Sequence, residues 1–142
     1  VLAERLRQAI NAHDPDAFTS CFASGYQSTQ PAHPAREFSG REQVRTNWSA
    51  FFHEVPDIRA DLLRTAVTEG VEWAEWHWHG TRLDGSPLDM RGVTVMGVHA
   101  GSVVWGRLYM EETEQTGENI DEAVRRLAGG RSVDGEDQPG PR

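Results

Sequence analysis

Val71-Glu72-Trp73-Ala74-Glu75-Trp76-His77-Trp78-His79 is the stretch on which the fold turns. It holds no Gly or Pro and is rich in indoles, and its side chains alternate between two chemistries, as a strand with one covered face does. One face carries Ala74, Trp76 and Trp78; the other carries Trp73, Glu75, His77 and His79. The uniformly apolar face is expected to point into a core and the mixed face outward.

The same period recurs nearby. Residues 58–68, 90–99 and 103–111 also read as strands, with Gly70, Asp84-Gly85 and Ala100-Gly101 supplying the turns. On the last of them Val104, Gly106, Leu108 and Met110 oppose Trp105, Arg107, Tyr109 and Glu111, and the first set is expected inward. The strand between is ambiguous by alternation alone, because Thr94, Met96 and Val98 oppose Val93, Val95 and Gly97.

Upstream the period is helical. Leu2, Leu6, Ala9 and Ile10 mark an amphipathic helix ending near residues 11–13. Asp14-Pro15-Asp16 opens a second one, with Asp14 as cap and Pro15 at the first helical position. Its inner side is expected to hold Ala17, Phe18, Cys21 and Phe22, with Gly25 as its stop. Tyr26 to Gln30 reads as a short strand, followed by the loop Pro31-Ala32-His33-Pro34. Ser39-Gly40-Arg41-Glu42 matches a capping box and opens a helix with Val44, Trp48, Phe51 and Phe52 inward, ending before Pro56. A last short helix runs from Asn119 through Leu127. Helices first and an antiparallel meander after them predict an α+β fold. One domain is expected over residues 1–128, with a disordered, acidic, Gly- and Pro-rich tail over 129–142.

At 142 residues the chain has the length of one domain. Its net charge of −8 argues against nucleic acid, whose phosphates must be neutralised by Lys and Arg, and Arg125-Arg126 sits beside acids. No apolar run approaches the roughly 20 residues of a membrane span, and the first residues are amphipathic rather than signal-like. Cys21, the one cysteine, lies beside phenylalanines and reads as a buried thiol rather than a nucleophile. A chain without internal disulfides suits a reducing cytoplasm, where it is expected to reside. No cofactor is expected.

The element order, together with Asn11-Ala12-His13-Asp14-Pro15-Asp16, Gly40-Arg41-Glu42, Phe51-Phe52 through Pro56-Asp57, Arg91-Gly92-Val93-Thr94-Val95 and Gly101 through Tyr109, resembles the nuclear-transport-factor-2-like superfamily. The likeness is to its SnoaL-like branch and covers residues 2–112; the superfamily includes polyketide cyclases, ketosteroid isomerases and limonene-epoxide hydrolases. The resemblance implies a cystatin-like cone: a curved antiparallel sheet wraps around the N-terminal helices, encloses a pocket, and often pairs through its outer face in a dimer. It also puts Thr94, Met96 and Val98 inside.

Carried over position by position, the resemblance removes the familiar chemistry. Leu6 stands where ketosteroid isomerases carry a Tyr, Gln30 (before Pro31) where they carry the carboxylate base, and Thr94 at or near their oxyanion-binding Asp. The Arg-Asp-Tyr run of cyclases and epoxide hydrolases reads Arg107-Leu108-Tyr109, so that acid is absent too. Trp76 and Trp78 occupy the strand on which epoxide hydrolases need a carboxylate and an Arg.

What remains implies a protein that binds a small hydrophobic molecule, aromatic or polycyclic, with at most weak isomerase or cyclase activity. The expected lining is Tyr26, Ser28, Gln30, Trp48, Phe52, Trp76, Trp78, Thr94, Met96, Leu108 and Met110. His33 is the residual candidate base, and Glu112 has the parity to reach the pocket mouth. Whether Trp76 and Trp78 fill the space stays open at this point. The alternative is a noncatalytic dimerisation or partner-binding scaffold.

The outward face admits two readings. His77 and His79 form an H-x-H pair that projects two imidazoles to one side, and zinc would need a third ligand, for which Glu75 is nearest. The same face carries Trp73, and a flat aromatic and charged surface suits a contact between subunits. A homodimer through Trp73, His77, Trp105 and Tyr109 is favoured over the metal.

Overall fold

The computed structural model describes residues 1–129, so the tail expected from 129 onward lies, apart from Gly129, outside the described residues. Helix α1 (Leu2–Asn11) buries Leu2, Ala3, Leu6, Ala9 and Ile10 along one stripe. His13 then turns the chain with a left-handed backbone, φ 54°. Asp14 caps α2 (Pro15–Thr19) by accepting the Ala17 N–H at 3.0 Å.

Helix α2 is shorter than the sequence suggests. Phe22 already belongs to strand β1 (Phe22–Thr29), and Gly25 lies within that strand instead of stopping a helix. Neighbouring backbone claims these residues: Val103 N–H donates to the Cys21 carbonyl at 2.9 Å, and Phe22 pairs with Val103.

A single 3₁₀ turn (Pro34–Arg36) leads to β2 (Phe38–Ser39). Ser39 pairs there with Gln27, so the expected capping box does not form. Gly40, at φ 101°, leads into helix α3 (Arg41–Glu54), which no side chain caps.

Strands β3 (Arg59–Thr68), β4 (Val71–Thr81), β5 (Pro87–His99) and β6 (Ser102–Glu112) follow as a meander. They complete a curved, unclosed six-stranded sheet in the order β2-β1-β6-β5-β4-β3. Every neighbouring pair is antiparallel except β1 with β6, which run parallel. No hairpin joins these two strands; a crossover through α3 and the rest of the meander does, and that frees their relative direction.

Two local features shape the β5–β6 pair. Gly92 has φ 157°, and a Cβ there would lie 2.0 Å from the Tyr109 carbonyl oxygen, so only glycine permits this approach. Further along, Gly97 pairs with Trp105 but Val98 pairs with Val103, leaving Val104 as the extra residue of a bulge. The bulge switches the alternation. Val103 is therefore buried in the core, whereas the sequence phase assigns that direction to Val104.

Helix α1 packs on β3 and β4. Asn11 fixes its end like a short strand: its amide donates to the Ala60 carbonyl at 3.1 Å and accepts the Ala60 N–H at 2.7 Å. His13 Nε2 meets the Ile58 carbonyl at 2.9 Å. The Asn11-Ala12-His13-Asp14 run is thus a docking device that occupies the free backbone of an edge strand. Helix α4 (Ile120–Leu127) starts with a complete capping box between Asn119 and Glu122, and its Ile120, Val124 and Leu127 are exposed. Among the described residues no helix is long and apolar enough to cross a membrane.

Candidate functional site

The inward face of β4 forms one wall of the site. Ala74, Trp76 and Trp78 are buried along it, and Trp48 of α3 meets the Trp78 ring edge-on at 5.2 Å between centroids. Trp76 and Trp78 are tilted against each other at 6.1 Å. These indoles do not fill the interior. A cavity of about 240 Å³ stays open, walled by Leu6 and Ile10 of α1, Trp48 and Phe51 of α3, Tyr26 and Ser28 of β1, and the inner faces of β4, β5 and β6.

Its polar groups are few and placed by packing. Thr94 Oγ1 accepts the Trp76 indole N–H at 2.9 Å and keeps its own proton to donate. The Tyr26 hydroxyl lies over Gly106, where a Cβ would come within 2.4 Å of it; glycine on β6 makes the room. Burial pushes the Tyr26 phenol above its ordinary pKa, while a hydrogen bond with Ser28 acts in the opposite direction. It therefore stays a neutral donor. The Trp78 indole nitrogen is buried without a partner among the described residues.

The mouth is more polar. Arg36 lines the cavity and donates to Gln30 Oε1 at 3.0 Å, and no acidic side chain pairs with it among the described residues. A second hollow of about 330 Å³ shares Arg36, Met90 and Met110 with the first and so forms its vestibule. The other charges there are paired: Arg82 with Glu112 at 2.9 Å, and Glu111 with His33 at 2.8 Å.

Of the residues expected to line the pocket, Tyr26, Ser28, Gln30, Trp48, Trp76, Trp78, Thr94, Met96, Leu108 and Met110 surround the cavity. Phe52 does not; it lies behind the wall, tilted against Trp48 and His13, because the turn of α3 directs its neighbour Phe51 inward. His33, the candidate base, is held by Glu111 and is absent from the cavity wall. Besides helix residues already expected inward, Arg36, Phe38, Asn47 and Met90 line the cavity. Met90 shares the parity of Thr94 and Met96, and that signal was available; Arg36 and Phe38 arrive through an irregular segment without one.

On the outer face, Trp73 and Tyr109 are 47% and 43% exposed, and Trp105 packs over Gly97 with Arg107 above its ring. Glu75, the expected third partner of His77 and His79, instead pairs with Arg64 at 2.8 Å. The β3–β4 register brings a different carboxylate, Asp61, directly opposite His77.

A family model described as a SnoaL-like domain matches residues 3–106. Among solved structures, a Catenulispora acidiphila protein with a ketosteroid isomerase-like fold, crystallised with trimethylamine, aligns at TM-score 0.67 and 14% identity, over 76% of this chain and 83% of its own. A Jannaschia protein classed as a SnoaL-like polyketide cyclase aligns at 0.65 and 17% identity, over 78% and 83%. A Mesorhizobium loti protein of unknown function with the nuclear-transport-factor-2-like fold aligns at 0.61 and 25% identity, over 78% and 88%. No curated protein matches the chain. Similarity this distant fixes the fold; what the cavity does must be argued from the cavity.

Proposed function

The chain belongs to the SnoaL-like domain family, and on that premise we propose that it binds a small hydrophobic molecule of one or two rings in the cavity between α1, α3 and the sheet. The observation that carries this reading is an interior that stays open although Trp48, Trp76 and Trp78 all border it. Size narrows the occupant. A cavity of roughly 150 Å³ holds benzene, so the inner space of about 240 Å³ suits about ten heavy atoms. Arg36, at the mouth with the neutral Gln30 as its side-chain partner among the described residues, suits a ligand whose polar end is anionic.

Binding, rather than proton transfer, is the function this lining supports. Leu6, Gln30, Thr94 and Leu108 border the cavity, and none brings the carboxylate that family enzymes use there. Neutral donors, Thr94 and Tyr26, can orient a carbonyl or ether oxygen but cannot take a proton from carbon. The test is native mass spectrometry and thermal shift with one-ring aromatic and monoterpenoid carboxylic acids, their neutral analogues, and polycyclic compounds. One-ring acids should bind at one per chain and raise Tm. If no compound of this size binds, the reading fails.

A second reading concerns assembly and rests on the half-exposed Trp73 and Tyr109 on the outer sheet face. With Trp105 they form an aromatic surface suited to a homodimer, which would serve equally as a noncatalytic scaffold. His77 lies on the same face of β4 and contacts neighbouring aspartates there. Light scattering should give a dimer that Trp73→Glu dissociates; a wild-type monomer rejects this reading.

A further inference from the structure

We propose that Asp61, His77 and His79 form a site for a divalent transition metal of the zinc class on the outer face of the sheet, separate from the cavity. His79 Nε2 lies 3.1 Å from Asp61 Oδ2, and His77 Nδ1 lies 3.8 Å from the same oxygen. The three ligand atoms all fall within 4.8 Å of one another. Tetrahedral zinc with bonds near 2.0–2.1 Å sets its ligand atoms about 3.3 Å apart, so small side-chain adjustments would close the triad. Two histidines and one carboxylate leave a fourth position for water.

The placement of His77 between two carboxylates gives a second geometric argument. Its Nε2 lies 3.0 Å from Asp89 Oδ2, and a carboxylate there accepts, so Nε2 holds the proton. Its Nδ1 faces Asp61 Oδ2 at 3.8 Å, a gap too long for a hydrogen bond. A metal ion bound by both atoms would fill that gap. Asp89 is fixed in turn by the Thr113 hydroxyl, which donates to its other oxygen at 2.6 Å. A carboxylate holding the far N–H of a ligand histidine is the arrangement that orients imidazoles toward a metal.

Strand register builds the site. His77 and His79 project from one face of β4, Asp61 stands opposite His77 on β3, and Asp89 stands opposite His79 on β5. Three adjacent strands hold the four side chains, which makes the site rigid before any metal arrives. Nitrogen donors beside a single carboxylate favour zinc or its neighbours over magnesium or calcium.

Untagged full-length protein titrated with zinc by calorimetry should take up one ion per chain. In NMR spectra the ring signals of His77 and His79 should move with zinc, while those of His13, His33, His53 and His99 stay. Asp61→Asn and His79→Ala should abolish uptake, His53→Ala should leave it unchanged, and Asp89→Asn should weaken it about 10–100-fold. The wild-type NMR titration needs no variant and stands if one of them misfolds. Absence of uptake at millimolar zinc, or zinc signals at other histidines, would overturn the site; a proton alone then occupies the gap. An Asp89→Asn variant that binds as tightly as wild type would overturn the orienting role of Asp89.

Discussion

Glu72 caps the helix that begins at Leu2: its buried carboxylate accepts the Leu2 N–H at 2.9 Å and the neighbouring Ala3 N–H at 3.0 Å. The first N–H groups of a helix lack intrahelical partners, and its N-terminus favours negative charge. One side chain of β4 therefore fixes where α1 starts and how it lies on the sheet. Glu72→Gln keeps the shape but loses the charge and one acceptor. It should lower stability by about 1.5–3 kcal/mol, the range for hydrogen bonds to a charged group. Urea denaturation followed by far-UV circular dichroism measures this, and an unchanged midpoint would contradict it.

How far the sequence could be read follows from such contacts. Alternation over residues 71–79 told which indoles face inward, because one buried face imposes a period of two. It did not reveal that Glu72 shares the inward phase, since a buried acid is legible only once the helix end it meets is known. Asp61 was missed for a similar reason: the β3 bulge between Leu62 and Arg64 fixes which acid faces His77, and no local pattern encodes it. Val104 was assigned inward by simple parity, which its own bulge interrupts. Local signals fix elements; register and crossovers fix sites.

Cys21 should be chemically silent in the native protein. It is 1% exposed, its thiol points at the Ala17 carbonyl at 3.6 Å, and burial raises its pKa. Thiolate is the reacting species, so both effects suppress attack. A thiol-specific chromogenic disulfide should react with no group in native protein and with one after denaturation. Rapid native labelling would mean the α2–β1 junction opens readily.

Acidification should destabilise the fold partly through Asp57. Its carboxylate accepts the Thr81 N–H at 2.7 Å, and that bond is the main cause of a pKa below the ordinary value, with partial burial opposing it. A folded-state pKa lowered in this way adds stability above the unfolded value of about 4, and the gain disappears as pH falls through the folded value. Asp84, held down by Ser86, contributes in the same sense. Tm should thus drop below about pH 4 in the wild type and drop less in Asp57→Asn, whose neutral acid range starts from a lower plateau. Parallel Tm–pH curves for the two proteins would rule Asp57 out as a contributor.

Leu108→Trp tests whether the open interior, rather than the surface, is where ligands go. Leu108 borders the cavity from β6 and is only partly buried. An indole there can grow into existing space, so it should escape most of the 1–3 kcal/mol that overpacking typically costs. Tm should stay within a few degrees of wild type. The indole would take up part of the space and clash with a ring seated against Thr94 and Trp76, so affinity for a one-ring ligand should fall about tenfold, equivalent to about 1.4 kcal/mol. Leu83→Trp, at an exposed position between β4 and β5, is the matching control and should change neither quantity. Calorimetric titration of the two variants separates the cases: equal affinities would move the ligand out of the cavity, and loss in Leu108→Trp alone would fix it against Trp76, Trp78 and Thr94.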